Sequence, residues 1–412
     1  MSPRWRSSTG WRAWFGALSE RELALFLAGR VASLLGSSMA PVAVSFAILA
    51  QHGTATQLGE VLAAQSVPLV AFLLIGGGLA DRWGRRMVMV VADLMRVAAQ
   101  GSLGCWILLG HPPLWAFASA EAVVGLGTAL FAPASTGLVP ELVTNPDHLQ
   151  QANSLRGLAT SLATVVGPAA AGVIVAAANP GWAVVADSIS YAVSAGSLLM
   201  LHLPAAKARS ATSFMGQLRD GWSEFWSRIW LSAIVGQYAL FHLIVLAPFM
   251  VLGVVIAKSS LGGATAWGAI LAALGFGSLL GSLIVLRFRP RYPLRVATLS
   301  GLAWILPMVL LGVAAPAWSV ALGALVAGMS LGVFGPLWDT TLQREVPERV
   351  LSSVSAYDYL GSVALLPVGY AIAGPLSAAI GARPMLLGAG VWVGLSSLVV
   401  LGVPAVRQLA AR

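Results

Sequence analysis

Apolar residues fall into long stretches broken by short polar or Gly/Pro-rich segments, and each stretch approaches or exceeds the roughly 20 residues that a bilayer core demands of a helix. Read along the chain, they predict helices at 22–50, 58–80, 87–110, 114–139, 155–178 and 181–203, then 230–256, 264–287, 294–314, 316–341, 355–380 and 383–404. Several exceed the spanning minimum, which calls for tilt or for a helix end that protrudes from the membrane. The pattern describes an all-α polytopic membrane protein, with a six-helix bundle over 1–203, a connector over 204–229 and a second bundle over 230–412. The connector mixes Phe214, Leu218, Trp222, Phe225 and Trp226 with Arg219, Asp220, Glu224 and Arg228, a composition suited to an amphipathic helix on the inner leaflet. The first apolar run continues past Arg30 to Leu49 without a small-residue cleavage site, so no cleaved signal peptide is expected.

The two halves echo one another. GGGLA (76–80) and LLGSL (279–283) correspond at an offset of 204, which sets Gly77 opposite Gly281 and Leu79 opposite Leu283. Two helices later GLGTALFAP (125–133) matches GMSLGVFGP (328–336), and VPELV (139–143) then matches VPERV (346–350). Parallel repeats of this kind predict twelve transmembrane helices in two pseudo-symmetric bundles, related by an axis along the membrane normal, with a cavity between them.

Charge sharpens the topology. Only 9% of the 412 residues are charged and 58% are hydrophobic, far from the roughly 25% charged residues of a soluble domain. The excess of 24 Lys+Arg over 15 Asp+Glu leaves a net +9, which in a soluble chain would suggest nucleic acid. Here the basic residues gather on alternate connections, among them Arg82, Arg85 and Arg86, then Arg156, then Arg287, Arg289, Arg291 and Arg295, then Arg344 and Arg349, whereas the other side holds only Lys258 and Arg383. The positive-inside rule therefore places both termini and the connector in the cytoplasm of a cell with this protein in its inner (plasma) membrane. Membrane lipids are the expected surroundings and nucleic acid is not an expected partner. Cys105 is the one cysteine, so intrachain disulfides and cysteine-based metal sites drop out.

The segment GGLADRWGRR (77–86) resembles the loop between the second and third helices of the major facilitator superfamily, with Gly77, Leu79, Asp81, Arg82, Gly84, Arg85 and Arg86 all fitting. More narrowly, the chain resembles that superfamily's bacterial drug and siderophore exporters, a group that includes macrolide-efflux-like and enterobactin-exporter-like proteins. The resemblance implies the major facilitator fold and a cytoplasmic gate in which Asp81 contacts the start of the eleventh helix, with Asp93, Arg96 and Asp358 available to join the network. The physical reading agrees that Arg85 or Arg86 can reach a carboxylate or the negative end of a neighbouring helix. The matching loop of the second half, GSLIVLRFRPR (281–291), has Val285 in place of the acid. VVGPAAAG (165–172) resembles the antiporter motif of the fifth helix through Gly167, Pro168 and Gly172, with Ala171 where a glycine is usual. Close packing is an equal reading of so many small residues. Two positions depart from the pattern: Glu121 lies where proton-driven drug exporters often carry an arginine, and Ser37 where the narrower group often has an acid.

Ionisable residues inside the spans need a partner or a wet cavity, since insertion alone costs about 2.5 kcal/mol or more. Arg30 lies roughly 12 Å into the first helix. Glu121 and Asp187 enter the fourth and sixth helices from the opposite side, where either proton coupling or a structural salt bridge accounts for them. Gln237, Tyr238 and His242 cluster in the seventh helix, with packing and proton transfer both open to His242. Gln65, Asn153, Tyr191, Trp267, Trp304, Tyr357 and Tyr370 are further polar or aromatic candidates.

Catalytic triads, paired carboxylates in a polar cleft and dinucleotide fingerprints do not emerge, so neither an enzyme nor a cofactor is expected. The expectation is a monomeric secondary transporter, with proton flow driving outward movement of a small amphipathic substrate by alternating access. A siderophore exporter, an uptake permease and a non-transporting receptor or scaffold are the competing readings.

Overall fold

The computed structural model describes residues 20–143, 147–202, 214–288 and 290–410. Among them, 12 helices are long and apolar enough to cross a membrane. We number these spans α1 (Arg21–Ala50), α2 (Ala55–Trp83), α3 (Arg85–Leu109), α4 (Leu114–Leu142), α5 (Asp147–Ala177) and α6 (Pro180–Leu199). The second half holds α7 (Ile229–Leu261), α8 (Gly263–Arg287), α9 (Pro293–Gly312), α10 (Ala317–Glu345), α11 (Arg349–Ile380) and α12 (Ala382–Gly402). A connector helix over Phe214–Ser227 lies between them, and no strand occurs among the described residues.

Local sequence sets the boundaries and breaks. Thr54 and Gln57 form a reciprocal capping box at the start of α2, with bonds of 3.2 and 3.0 Å. Gly84 separates α2 from α3 at φ +86°, a conformation that carries little cost only without a Cβ. In α7, Pro248 has no N–H for a helical bond, and His242–Leu246 widens into a π turn in which Ala247 N–H bonds to His242 O. Pro367 likewise interrupts α11, between the segments Glu348–Val363 and Leu366–Ile380.

Both halves bring their second and fourth spans together through glycine. A Cβ on Gly76 would meet the Ala129 carbonyl of α4 at 2.4 Å, and one on Gly125 the Gln65 carbonyl of α2 at 1.9 Å. In the second half Gly277 and Gly281 press on the carbonyls of Leu325 and Met329, while Gly328 and Gly332 press on those of Leu274 and Ser278. Small residues let backbones approach where lipid supplies no hydrophobic drive between helices. Outward faces remain apolar, with Leu286, Leu398 and Val399 each about 70% exposed, as a lipid-facing surface requires.

The connector helix docks on the beginning of α11. Gly221 lies against Ser353, Trp222 packs edge-on to Tyr357 at 5.2 Å between ring centroids, and Phe225 is buried. Its residues 204–213 and the side chains of Phe214 to Leu218 lie outside the described residues.

The apolar core is distributed unevenly across the membrane. On the side away from the connector, here the far side, one cluster runs through both halves and joins Val42 and Ile48 of α1 and Leu58 of α2 to Phe249 of α7, Trp267 of α8 and Ala373 of α11. On the connector side the core divides. One cluster contains Leu23, Met89 and Leu138 of the first half, and another contains Phe225, Trp230, Trp338 and Val354 of the connector and second half. The halves are therefore welded at the far side and parted at the connector side.

Candidate functional site

Two seams close the far side. Across α5 and α8, a Cβ on Gly172 would lie 2.7 Å from the Ala264 carbonyl, and one on Gly268 would lie 2.4 Å from the Pro168 carbonyl. Gly275 packs equally tightly on the Thr164 carbonyl. Gly167, the other glycine of the α5 motif, faces Ser38 and the Leu35 carbonyl of α1 instead. Across α2 and α11, Gly59 meets the Tyr370 carbonyl and Gly374 meets Thr56. Lys258 Nζ at the end of α7 donates to the Leu49 carbonyl of α1, adding a polar tie between the halves.

Inside the first half, four spans pool their ionisable residues. Asp93, Arg96 and Gln100 follow the i, i+3, i+7 spacing of one helical face and turn inward from α3. Asp93 and Arg96 are ion-paired with each other, at 0% and 3% exposure. The Arg96 guanidinium also sits 4.3 Å from the Tyr191 ring centroid of α6 and 4.7 Å from that of Phe131 of α4, distances at which the ring faces attract a cation. Gly127 of α4 leaves room for the Arg96 stem, since a Cβ there would meet Arg96 Cγ at 2.8 Å. The guanidinium lying beside α4 thus comes from α3, while α4 itself contributes Glu121.

Gln100 Nε2 donates to Glu121 Oε1 at 3.0 Å. Asp187 is fully buried, with Oδ1 3.5 Å from Ser190 Oγ and Oδ2 without a partner. The helix-1 position that lacks an acid is occupied by a hydroxyl contact, Ser37 Oγ to Tyr191 Oη at 2.9 Å. Helix α1 reaches this cluster because Gly29 and Gly36, seven residues apart, fit against Ser197 and Ser190 with the same spacing, and Gly36 also faces Asp187 Oδ1. Arg30 stands 5.1 Å from the Phe131 ring centroid.

The glycine-rich loop is tied within its own half. Arg85 donates to the Gly137 carbonyl and pairs with Glu141 at 2.7 Å, both at the end of α4. Arg86 donates to the Leu199 carbonyl at the C-terminus of α6 at 2.6 Å, where the helix presents its negative end. Arg82 is exposed, and the surroundings of Gly77 and the side chain of Asp81 lie outside the described residues. Asp358 accepts a bond from Trp338 Nε1 at 2.9 Å in the second half, apart from Asp93 and Arg96.

In the second half, Gln237 donates to Ser396 Oγ at 3.4 Å, and Tyr238 packs on Phe334 with ring centroids 4.3 Å apart. His242 Nδ1 lies 2.8 Å from the Tyr238 carbonyl, one turn back on the same helix. A cavity of about 30 Å³ lies among Gln237, Tyr238, Thr298, Trp304 and Ser330, room for about one water molecule. Among the described residues no group of three or more His, Cys, Asp and Glu side chains is arranged to hold a metal.

The structure therefore brings Asp93, Arg96, Glu121 and Asp187 into one buried cluster and leaves Gln237, Tyr238 and His242 in a separate one. Gln100 was missed from sequence. Its place on the Asp93–Arg96 face of an otherwise apolar helix is the signal that could have identified it. Arg156 of α5 was read only as a marker of topology.

A family model described as Major Facilitator Superfamily matches residues 26–365. The chain is 26% identical to the multidrug efflux pump Tap of Mycolicibacterium fortuitum, over 94% of this chain and 97% of that protein. It is 23% identical to macrolide efflux protein A of Streptococcus pyogenes, over 47% of this chain and 48% of that one. Among solved structures, the nucleoside transporter NupG superposes with a TM-score of 0.74 at 12% identity, covering 92% of this chain and 98% of its own. A bacterial homologue of the human lysosomal transporter Spinster, in an inward-facing and unoccupied conformation, gives 0.72 at 13% identity, covering 97% and 98%.

Proposed function

The chain belongs to the major facilitator superfamily of membrane transporters, and on that premise we propose that it exports a small amphipathic molecule by alternating access, with inward proton flow as the driving reaction. The observation that carries this reading is the one-sided junction between halves: a shared apolar core and two glycine seams at the far side, against separate cores on the connector side. A protein built to rock needs an interface that can open without unfolding either half. Backbone-to-glycine contacts and apolar packing, with no ion pair between the halves among the described residues, suit that demand.

Sidedness follows from the basic residues clustered on the connector side, which puts the open mouth towards the cytoplasm. The efflux pumps among the relatives favour export over uptake. For coupling, Glu121 and Asp187 are buried intramembrane carboxylates, Glu121 accepting from Gln100 of α3 and Asp187 facing Gly36 of α1, the chemistry from which proton relays are built. We assign no catalytic residue and no cofactor to the protein, and the monomer contains the whole proposed pathway.

Vesicles turned inside out, with an acidic interior and a panel of labelled cationic, neutral and anionic amphiphiles outside, test the reading. Export appears as gradient-dependent accumulation, abolished by Asp187→Asn or Glu121→Gln while exchange of preloaded compound persists. Absence of gradient-dependent flux across the panel sinks the proposal, and accumulation only in right-side-out vesicles replaces export with uptake.

A further inference from the structure

The face of α5 that forms the seam with α8 continues past the point of contact. Thr164, Pro168 and Gly172 recur every four residues and offer backbone to α8. Followed back towards the connector side, the same face carries Thr160, Gly157 and Asn153. All three are exposed, and nothing lies within 4 Å of a Cβ built on Gly157. Here the seam has parted and its surface faces the gap between the halves.

A cavity of about 240 Å³ opens at this place, lined by Arg30, Asn153, Arg156, Gly157 and Thr160. Both arginines lie nine residues from the first residue of their helices, about 13 Å along the axis, so they face each other at a common depth. Neither forms an ion pair with a described residue. Charged groups near enough to act on Arg30 are Arg96, Arg156 and Asp93. Asp93 is already engaged by Arg96, and Arg96 and Arg156 add like charge. The cavity therefore presents two guanidinium groups without a carboxylate of their own, beside an amide and a hydroxyl that can donate hydrogen bonds.

We propose that this cavity is an oxyanion site, in which Arg30 and Arg156 hold the carboxylate or phosphate head of an amphipathic anion whose apolar tail lies in the gap between the halves. Guanidinium groups pair with two oxygens at once, and the partial burial of both arginines strengthens that contact relative to a fully exposed pair. Asn153 and Thr160 supply the remaining donors. The site narrows the cargo from amphipaths in general to anionic ones, and in that respect it rests on the export reading. An anionic lipid head of the connector-side leaflet carries the same chemistry.

The test is equilibrium binding of labelled decyl phosphate to the full-length protein in phosphatidylcholine nanodiscs, with decyltrimethylammonium as the probe of equal tail and opposite charge. The phosphate is expected to bind at least tenfold more tightly. Arg156→Gln and Arg30→Gln should each weaken it by roughly tenfold or more, as loss of a charged hydrogen bond implies, with gel-filtration profiles unchanged. Arg156→Lys should restore part of the affinity, because the charge returns without the two-pronged geometry. Nanodiscs doped with phosphatidylglycerol separate the sources: competition by the doped lipid assigns the site to a headgroup, whereas competition only by soluble amphipathic carboxylates assigns it to cargo, and either outcome supports an oxyanion site. Equal affinity for the two probes, or a phosphate preference that survives both glutamine variants, overturns it. Binding is read without flux, so intact binding without transport would count against export alone.

Discussion

The far-side seam makes a quantitative prediction about which way the transporter faces. In Gly268→Ala the new methyl group would begin 2.4 Å from the Pro168 carbonyl and 3.1 Å from Gly172 Cα, and both obstacles are backbone that cannot swing aside. Real Cβ atoms essentially never come closer than 3.0 Å, so α5 and α8 must separate by about 0.6 Å. A gap of that size forfeits a quarter to a half of the dispersion attraction at each contacting pair, and overpacking of this kind costs roughly 1–3 kcal/mol. On the alternating-access proposal the seam belongs only to the state closed at the far side, so the cost falls on that state and shifts the ratio of the two states by about 5- to 150-fold towards far-side opening. Spin labels replacing Trp83 at the end of α2 and Arg349 at the start of α11, in a Cys105→Ser background, report the connector-side separation by pulsed electron resonance. The short-distance population should grow in Gly268→Ala and not in Gly196→Ala, where nothing lies within 4 Å of the added carbon. An unchanged distribution in a well-folded Gly268→Ala protein, or a wider connector-side gap, would refute the reasoning.

Asp93→Asn leaves the Arg96 guanidinium without its anion in a buried setting, and should lower stability by about 3–5 kcal/mol. Asp93→Leu combined with Arg96→Met should cost less than the single change in detergent thermal-unfolding scans, and the opposite order would show that the pair is not what the charge requires. Gly84→Ala should cost about 1–2 kcal/mol through its φ of +86° alone, because nothing crowds the position, whereas Gly78→Ala in the neighbouring helical turn should be neutral or stabilising. Equal melting temperatures for the two alanine variants would remove the conformational explanation of the loop glycine.

Much of the architecture was legible in the order of residues. Spans, their number and the alternating basic loops follow from a one-dimensional constraint, since every backbone polar group in hydrocarbon must be satisfied within a helix of fixed rise. Residue partnerships were less accessible. The family resemblance made Asp93 and Arg96 available to a gate network, and only the structure shows that they face each other, Phe131 and Tyr191 inside the first half. Gln100 escaped attention because an uncharged amide in an apolar helix gives a weak signal by itself, and acquires meaning only opposite Glu121.

Sequence by itself thus determined that this chain crosses a membrane in repeated helices, where its basic loops lie and which few residues carry charge into the apolar region. Tertiary structure alone decided which charges neutralise one another, which side of the junction is closed and which arginines are left facing a cavity. The physical reason is that hydropathy and helical period act along each segment, whereas the rotation and crossing of neighbouring helices depend on contacts between segments distant in the chain. Arg156 illustrates the difference: along the sequence it marks a side of the membrane, and across the fold it stands opposite Arg30 at the wall of an open cleft.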